Sequence, residues 1–106
     1  GRYDYIDEEH GVLTLEAIKN ACTGVFSRYD IEYCYLFGSY AKEKADERSD
    51  VDLLVSTTIT GLDFFGLVEV LRSSLKKKVE LLTVSQLSSN QELVNEILKD
   101  GIKIYG

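Results

Sequence analysis

The sequence predicts one α+β domain, a small mixed β-sheet flanked by helices. Three observations carry that expectation. Short apolar runs of strand length occur at 33–37, 51–55 and 78–82. Between them lie segments whose apolar residues recur at helical spacing. The 106 residues suffice for one core and are too few for two. Alternating helices and strands then give the order α-β-(α)-β-α-β-α-β, a mixed sheet covered by helices.

The elements follow in turn. Residues 1–12 read as a polar, acidic lead-in, and 13–106 as the domain. Thr14 is placed to cap a helix running to about Tyr29, with Leu15, Ile18, Cys22, Val25 and Phe26 as its apolar side. The aromatic and apolar run 33–37 stops at Gly38 and reads as a strand, with a short helix and a loop after Ser39. Residues 51–55 are almost continuously apolar, as befits a central strand buried on both faces. Asp63 is expected to cap a helix whose stripe is Phe64, Leu67, Val68, Leu71 and Leu75. A third strand covers 78–82. Asn90 opens a last helix with Leu93, Val94, Ile97 and Leu98 buried, ended by Gly101 in the usual C-terminal way. Residues 102–105 add a short edge strand.

Composition removes several function classes. No apolar run approaches the roughly 18 residues of a membrane span, and residues 2–9 are acidic, unlike a secretory leader. The chain has no methionine and opens on Gly1, which reads as the remnant of a tag. Cys22 and Cys34 read as small buried hydrophobes of a reducing, cytoplasmic protein, with one disulfide as the alternative. One histidine and no CxxC pattern leave no zinc site. A net charge of −6 argues against DNA or RNA as the main partner. The basic run Lys76, Lys77 and Lys78 beside Arg72 reads first as a solvated loop, with a phosphate or partner contact as the sharper alternative.

Asp50 and Asp52 carry the first chemical signal. Alternate strand residues share a face, and their Cα atoms would lie about 6.5–7 Å apart. Two such carboxylates repel each other and lose hydration unless a hard divalent cation such as Mg²⁺ joins them. The spacing alone is weak, since chance supplies it in roughly one chain in three of this length. Two solvent-facing acids at a strand end are the ordinary alternative. Gly38 and Ser39 change the weighing: they end the preceding strand, ten residues intervene, and Asp50 opens the next. Glycine lets backbone N–H groups approach a phosphate, and the serine hydroxyl adds a donor. A helix starting just after Ser39 would add its N-terminus. A plain strand-to-helix turn without a ligand is the bland reading.

The residues LFGSYAK at 36–42 followed by SDVDLLV at 49–55 resemble the signature of minimal nucleotidyltransferases, within the DNA polymerase beta-like superfamily. The resemblance runs from about Leu13 to Tyr105. It implies the nucleotidyltransferase fold, with Asp50 and Asp52 holding Mg²⁺ bridged to the triphosphate of ATP and Gly38 and Ser39 cradling the β- and γ-phosphates. It implies a third carboxylate, Glu80, completing the metal site and acting as base, and Lys42 contacting phosphate. Glu80 stands where the family more often has aspartate, so its reach is altered; a surface acid paired with a lysine is the alternative. Glu43 stands where glycine is common, and an acid beside the phosphate loop would weaken nucleotide binding unless it faces solvent. Tyr40 is read as core or as a wall of the nucleotide site.

Minimal members of this family are commonly encoded beside a HEPN-domain protein, and act as antitoxins by transferring AMP to a tyrosine of that toxic ribonuclease. The resemblance therefore implies a protein adenylyltransferase antitoxin. An antitoxin that neutralises by contact alone and a small-molecule adenylyltransferase of the antibiotic-modifying kind are the alternatives. Larger relatives hold the acceptor on an extra domain. Here the acceptor is expected on a HEPN-domain partner, on a second copy in a homo-oligomer, or in a shallow cleft.

Overall fold

The computed structural model describes residues 11–106, so His10 and most of the acidic lead-in lie outside the described residues. Eight elements follow in the expected order: α1 (Leu15–Phe26), β1 (Ile31–Phe37), α2 (Gly38–Ala41), β2 (Val51–Thr57), α3 (Gly61–Leu75), β3 (Val79–Thr83), α4 (Gln91–Asp100) and β4 (Ile102–Tyr105).

Local chemistry explains most of the boundaries. Thr14 Oγ1 accepts from the Ala17 amide at 3.0 Å and caps α1. That helix stops at Phe26, short of Tyr29, because its exit tightens: the Arg28 and Tyr29 amides donate three residues back to Val25 and Phe26. Helix α3 starts at Gly61 behind an extended Thr60, so Asp63 sits in its first turn and does not cap it. There its charge faces the positive end of the helix. Asn90 does cap α4, its Oδ1 accepting from the Leu93 amide at 3.3 Å. Gly101 ends α4 as expected, with an extended backbone (φ −76°, ψ 172°). Its glycine is explained by space: a Cβ would lie 2.5 Å from the Ile97 carbonyl oxygen and 2.9 Å from that of Leu36.

The sheet order is β3-β2-β1-β4. Strands β2 and β3 run parallel across the α3 crossover, while β1 pairs antiparallel with both β2 and β4. Val51, Leu53 and Val55 join Ile18, Cys22, Phe26, Leu67 and Leu71 in one buried core between the sheet and helices α1 and α3. Leu54 points to the other face, where Val94 and Ile97 of α4 are also buried. This two-sided burial is why β2 reads as continuously apolar. Cys22 and Cys34 are both buried free thiols, with burial pushing the Cys22 thiol up to about 12. Among the described residues no helix is long and apolar enough to cross a membrane.

Candidate active site

Asp52 is the centre of the site. It lies in β2, with Phe37 of β1 opposite on one side and Glu80 of β3 on the other. It is half-buried, whereas Asp50 and Glu80 are exposed. Asp50 precedes the first residue of β2. The Asp52 carboxyl is pushed up to about 6, first by burial, then by a hydrogen bond with Glu80, then by the charges of Glu80 and Asp50. Glu80 is thus close enough to share a proton with Asp52, and Asp50 acts on it through charge. Among the described residues no three carboxylate, thiol or imidazole groups form a ready-made metal cage.

Gly38 closes against Asp52 from the other side. Its backbone is left-handed (φ +73°), and a Cβ there would collide with Asp52 Oδ2. Both facts require glycine at the end of β1. Helix α2 is one turn, starting at Gly38 itself, two residues before the anticipated start after Ser39, and it brings little dipole. Tyr40 is buried in the core, where its hydroxyl accepts from the Leu13 amide at 3.3 Å, so it is no wall of the site.

The exit from α2 explains the departure at Glu43. The Lys44 amide donates to the Ser39 carbonyl at 2.9 Å and the Glu43 amide to that of Tyr40 at 3.4 Å, with Glu43 left-handed at φ 57°. This is a Schellman exit, and its left-handed residue favours glycine. Glu43 itself is exposed. The loop that follows is pinned by Asp46: its amide donates to Ser49 Oγ and its Oδ1 accepts from the Arg48 amide, both at 2.9 Å. Lys77 Nζ donates to the Glu47 carbonyl at 2.9 Å, fastening the loop to the start of β3.

Sequence reasoning missed a cleft of about 210 Å³ beside Gly38. Phe37, Gly38, Ala41 and Lys42 form one wall, and Leu93, Glu96, Ile97 and Asp100 of α4 the other. Exposed Lys42 therefore stands at its rim. The pairs Leu93/Ile97 and Glu96/Asp100 are spaced four apart, a signal of one helical edge, but only the fold brings that edge to Gly38.

A left-handed glycine, a half-buried aspartate and a glutamate thus stand side by side at the end of β1, on β2 and on β3. Residues 20–106 match the family described as polymerase beta, nucleotidyltransferase, and the chain belongs to that family. It is 36% identical over 84 residues to protein adenylyltransferase MntA of Thermococcus cleftensis, covering 74% of this chain and 85% of that protein. A structure described as a putative minimal nucleotidyltransferase superposes with a TM-score of 0.72 at 30% identity, covering 83% of this chain and 90% of that one. A toxin–antitoxin crystal structure with AMP-PNP shares the fold, with a TM-score of 0.69 at 24% identity over 83% of this chain and 73% of that one.

Proposed function

We propose that this chain moves AMP from ATP to a hydroxyl, and that the acceptor is a tyrosine of a HEPN-domain toxin for which the chain is the antitoxin. The observation that carries this reading is the closure of the Gly38 backbone onto the Asp52 carboxylate, with Glu80 beside it. The MntA relative, itself a protein adenylyltransferase, supports protein over a small molecule as acceptor.

The donor set fits Mg²⁺. Burial raises the Asp52 carboxyl most, and Glu80 and Asp50 add to it; a cation would offset both the lost hydration and the repulsion. Mg²⁺ commonly takes only one or two carboxylates, with substrate phosphates completing its shell, so a full protein cage is not required. Asp50 and Asp52 would hold it, with Glu80 as the third ligand, and when bound it supplies charge neutralisation on the triphosphate.

In this reading Gly38 presents its backbone to the β- and γ-phosphates, and the Ser39 hydroxyl donates to them. Lys42 adds a positive charge at the rim. Glu80 takes the proton of the acceptor hydroxyl, the oxygen bonds to the α-phosphorus, and pyrophosphate leaves with the electron pair. Positioning and electrostatics supply most of the acceleration.

The test is incubation with α-labelled ATP, Mg²⁺ and the product of the neighbouring reading frame. Label on the partner's tyrosine, lost in Asp52→Asn, is expected. Neutralisation of the partner without label in either protein favours an antitoxin acting by contact.

A further inference from the structure

We propose that a basic groove at the end of α3 docks an acidic segment of the acceptor protein; the inference rests on the protein-acceptor reading above. Of the chain's 12 lysines and arginines, four fall between 72 and 78, with no acid from 70 to 79. In the fold Arg72, Lys76, Lys77 and Lys78 line one groove of about 410 Å³ together with Glu69 and Ser73. Arg72, Lys76 and Lys78 are exposed. The groove thus gathers positive charge on a chain whose net charge is −6. An anionic surface is its complement.

Local bonds use only part of this charge. Arg72 pairs with Glu69 at 3.5 Å, but both side chains are about half exposed, and water weakens such a pair. The Lys77 ammonium donates to the Glu47 carbonyl at 2.9 Å, a neutral acceptor that leaves its charge in place. Cations are favoured at a helix C-terminus, which accounts for Arg72 and Lys76. Lys77 and Lys78 carry the run beyond α3, where that explanation stops.

The backbone decides among anions. Helix α3 ends here, the Lys76 amide donating back to the Arg72 carbonyl at 2.8 Å. This end presents carbonyls, and not the N–H groups that seat a single phosphate. A long polynucleotide is repelled by the rest of an acidic chain. A short peptide segment with several carboxylates, spread as the four cations are, meets neither objection. Position then gives the groove a use. The Val51 amide donates to the Lys78 carbonyl at 2.9 Å, so the groove lies at the end of the sheet where β2 and β3 begin. Asp50, Asp52 and Glu80 stand at that same end. A partner held there by its acidic segment has its tyrosine kept near the site, and the docking concerns the acceptor and not ATP.

The experiment compares the full chain with a charge-reversed double variant (Arg72→Glu, Lys78→Glu) and a charge-conserving one (Arg72→Lys, Lys78→Arg). Calorimetry gives the Kd for the partner, transfer assays give KM and kcat, and AMP-PNP affinity is measured in parallel. Charge reversal is expected to raise the partner's Kd and KM on the order of tenfold. It should leave kcat and AMP-PNP affinity within about twofold of wild type. Added salt should narrow the gap, and the charge-conserving variant should match wild type. A glutamate-rich peptide should compete with the partner, whereas an RNA oligonucleotide of equal charge should not. Partner Kd and KM unmoved by reversal, a loss confined to kcat or AMP-PNP affinity, or competition by RNA alone overturns the inference. Absence of transfer by the wild type overturns the functional reading; the groove is then judged by the partner's Kd, and a value unmoved by reversal overturns it too.

Discussion

Asp52 Oδ2 packs against Gly38 at the end of β1, so that a methyl group on Gly38 would overlap that oxygen. Left-handed backbone and a carboxylate neighbour thus require the same residue. Gly38→Ala is expected to cost at least the roughly 1–2 kcal/mol of a left-handed non-glycine residue, read by urea unfolding. It should also displace Asp52 and abolish AMP transfer. A variant with wild-type stability and rate would show that the two residues are not coupled.

Glu43 makes the opposite case. It adopts φ 57° at the exit of α2, and its side chain is exposed. Glu43→Gly should stabilise the fold by about 1 kcal/mol through relief of that conformation. AMP-PNP affinity should change little. A large rise in affinity would show instead that the Glu43 charge acts on the phosphates.

Burial of Asp52 beside Glu80 and Asp50 makes stability depend on pH in a defined direction. Asp52 titrates at about 6 in the folded chain against an ordinary 3.8. The folded state therefore binds this proton more tightly, and the group destabilises the fold as pH rises from about 4 through 6. Without metal, Asp52→Asn should melt above wild type at pH 7.5, and the gap should close by pH 4. Mg²⁺ with AMP-PNP should raise the wild-type melting temperature more at pH 7.5 than at pH 5. A gap independent of pH would contradict the assignment of the strain to Asp52.

Leu54 is fully buried on the face of β2 that carries Asp52, where Val94 and Ile97 of α4 are also buried. Leu54→Ala should cost about 2–5 kcal/mol by leaving a cavity. Since α4 also walls the cleft beside Gly38, AMP-PNP binding is the second readout. Loss of stability without any effect on binding would separate α4 from the nucleotide.

Much of this was legible in the sequence because the signals were local. The apolar runs that became β1, β2 and β3, the caps at Thr14 and Asn90, and the pairing of a Gly-Ser strand end with Asp50 and Asp52 each depend on a few adjacent residues. Boundaries failed where a competing bond decided them, as at Phe26, where the chain tightens, and at Gly61, where α3 begins before Asp63. Gly101 was read as the end of the last helix, which it is, but what requires glycine there is the approach of two carbonyls, one of them on β1. For Tyr40 core and pocket wall both stood open, and the Leu13 amide that donates to its hydroxyl belongs to the core reading. The α4 side of the cleft depends on helix docking, which no spacing in the chain encodes.

The most direct test of the central claim is AMP transfer from α-labelled ATP to the partner protein by wild type and Asp52→Asn, with Mg²⁺ present and both proteins folded. The account predicts label on a partner tyrosine with wild type, and a loss of at least about a hundredfold in Asp52→Asn. Equal labelling by the two proteins would contradict it.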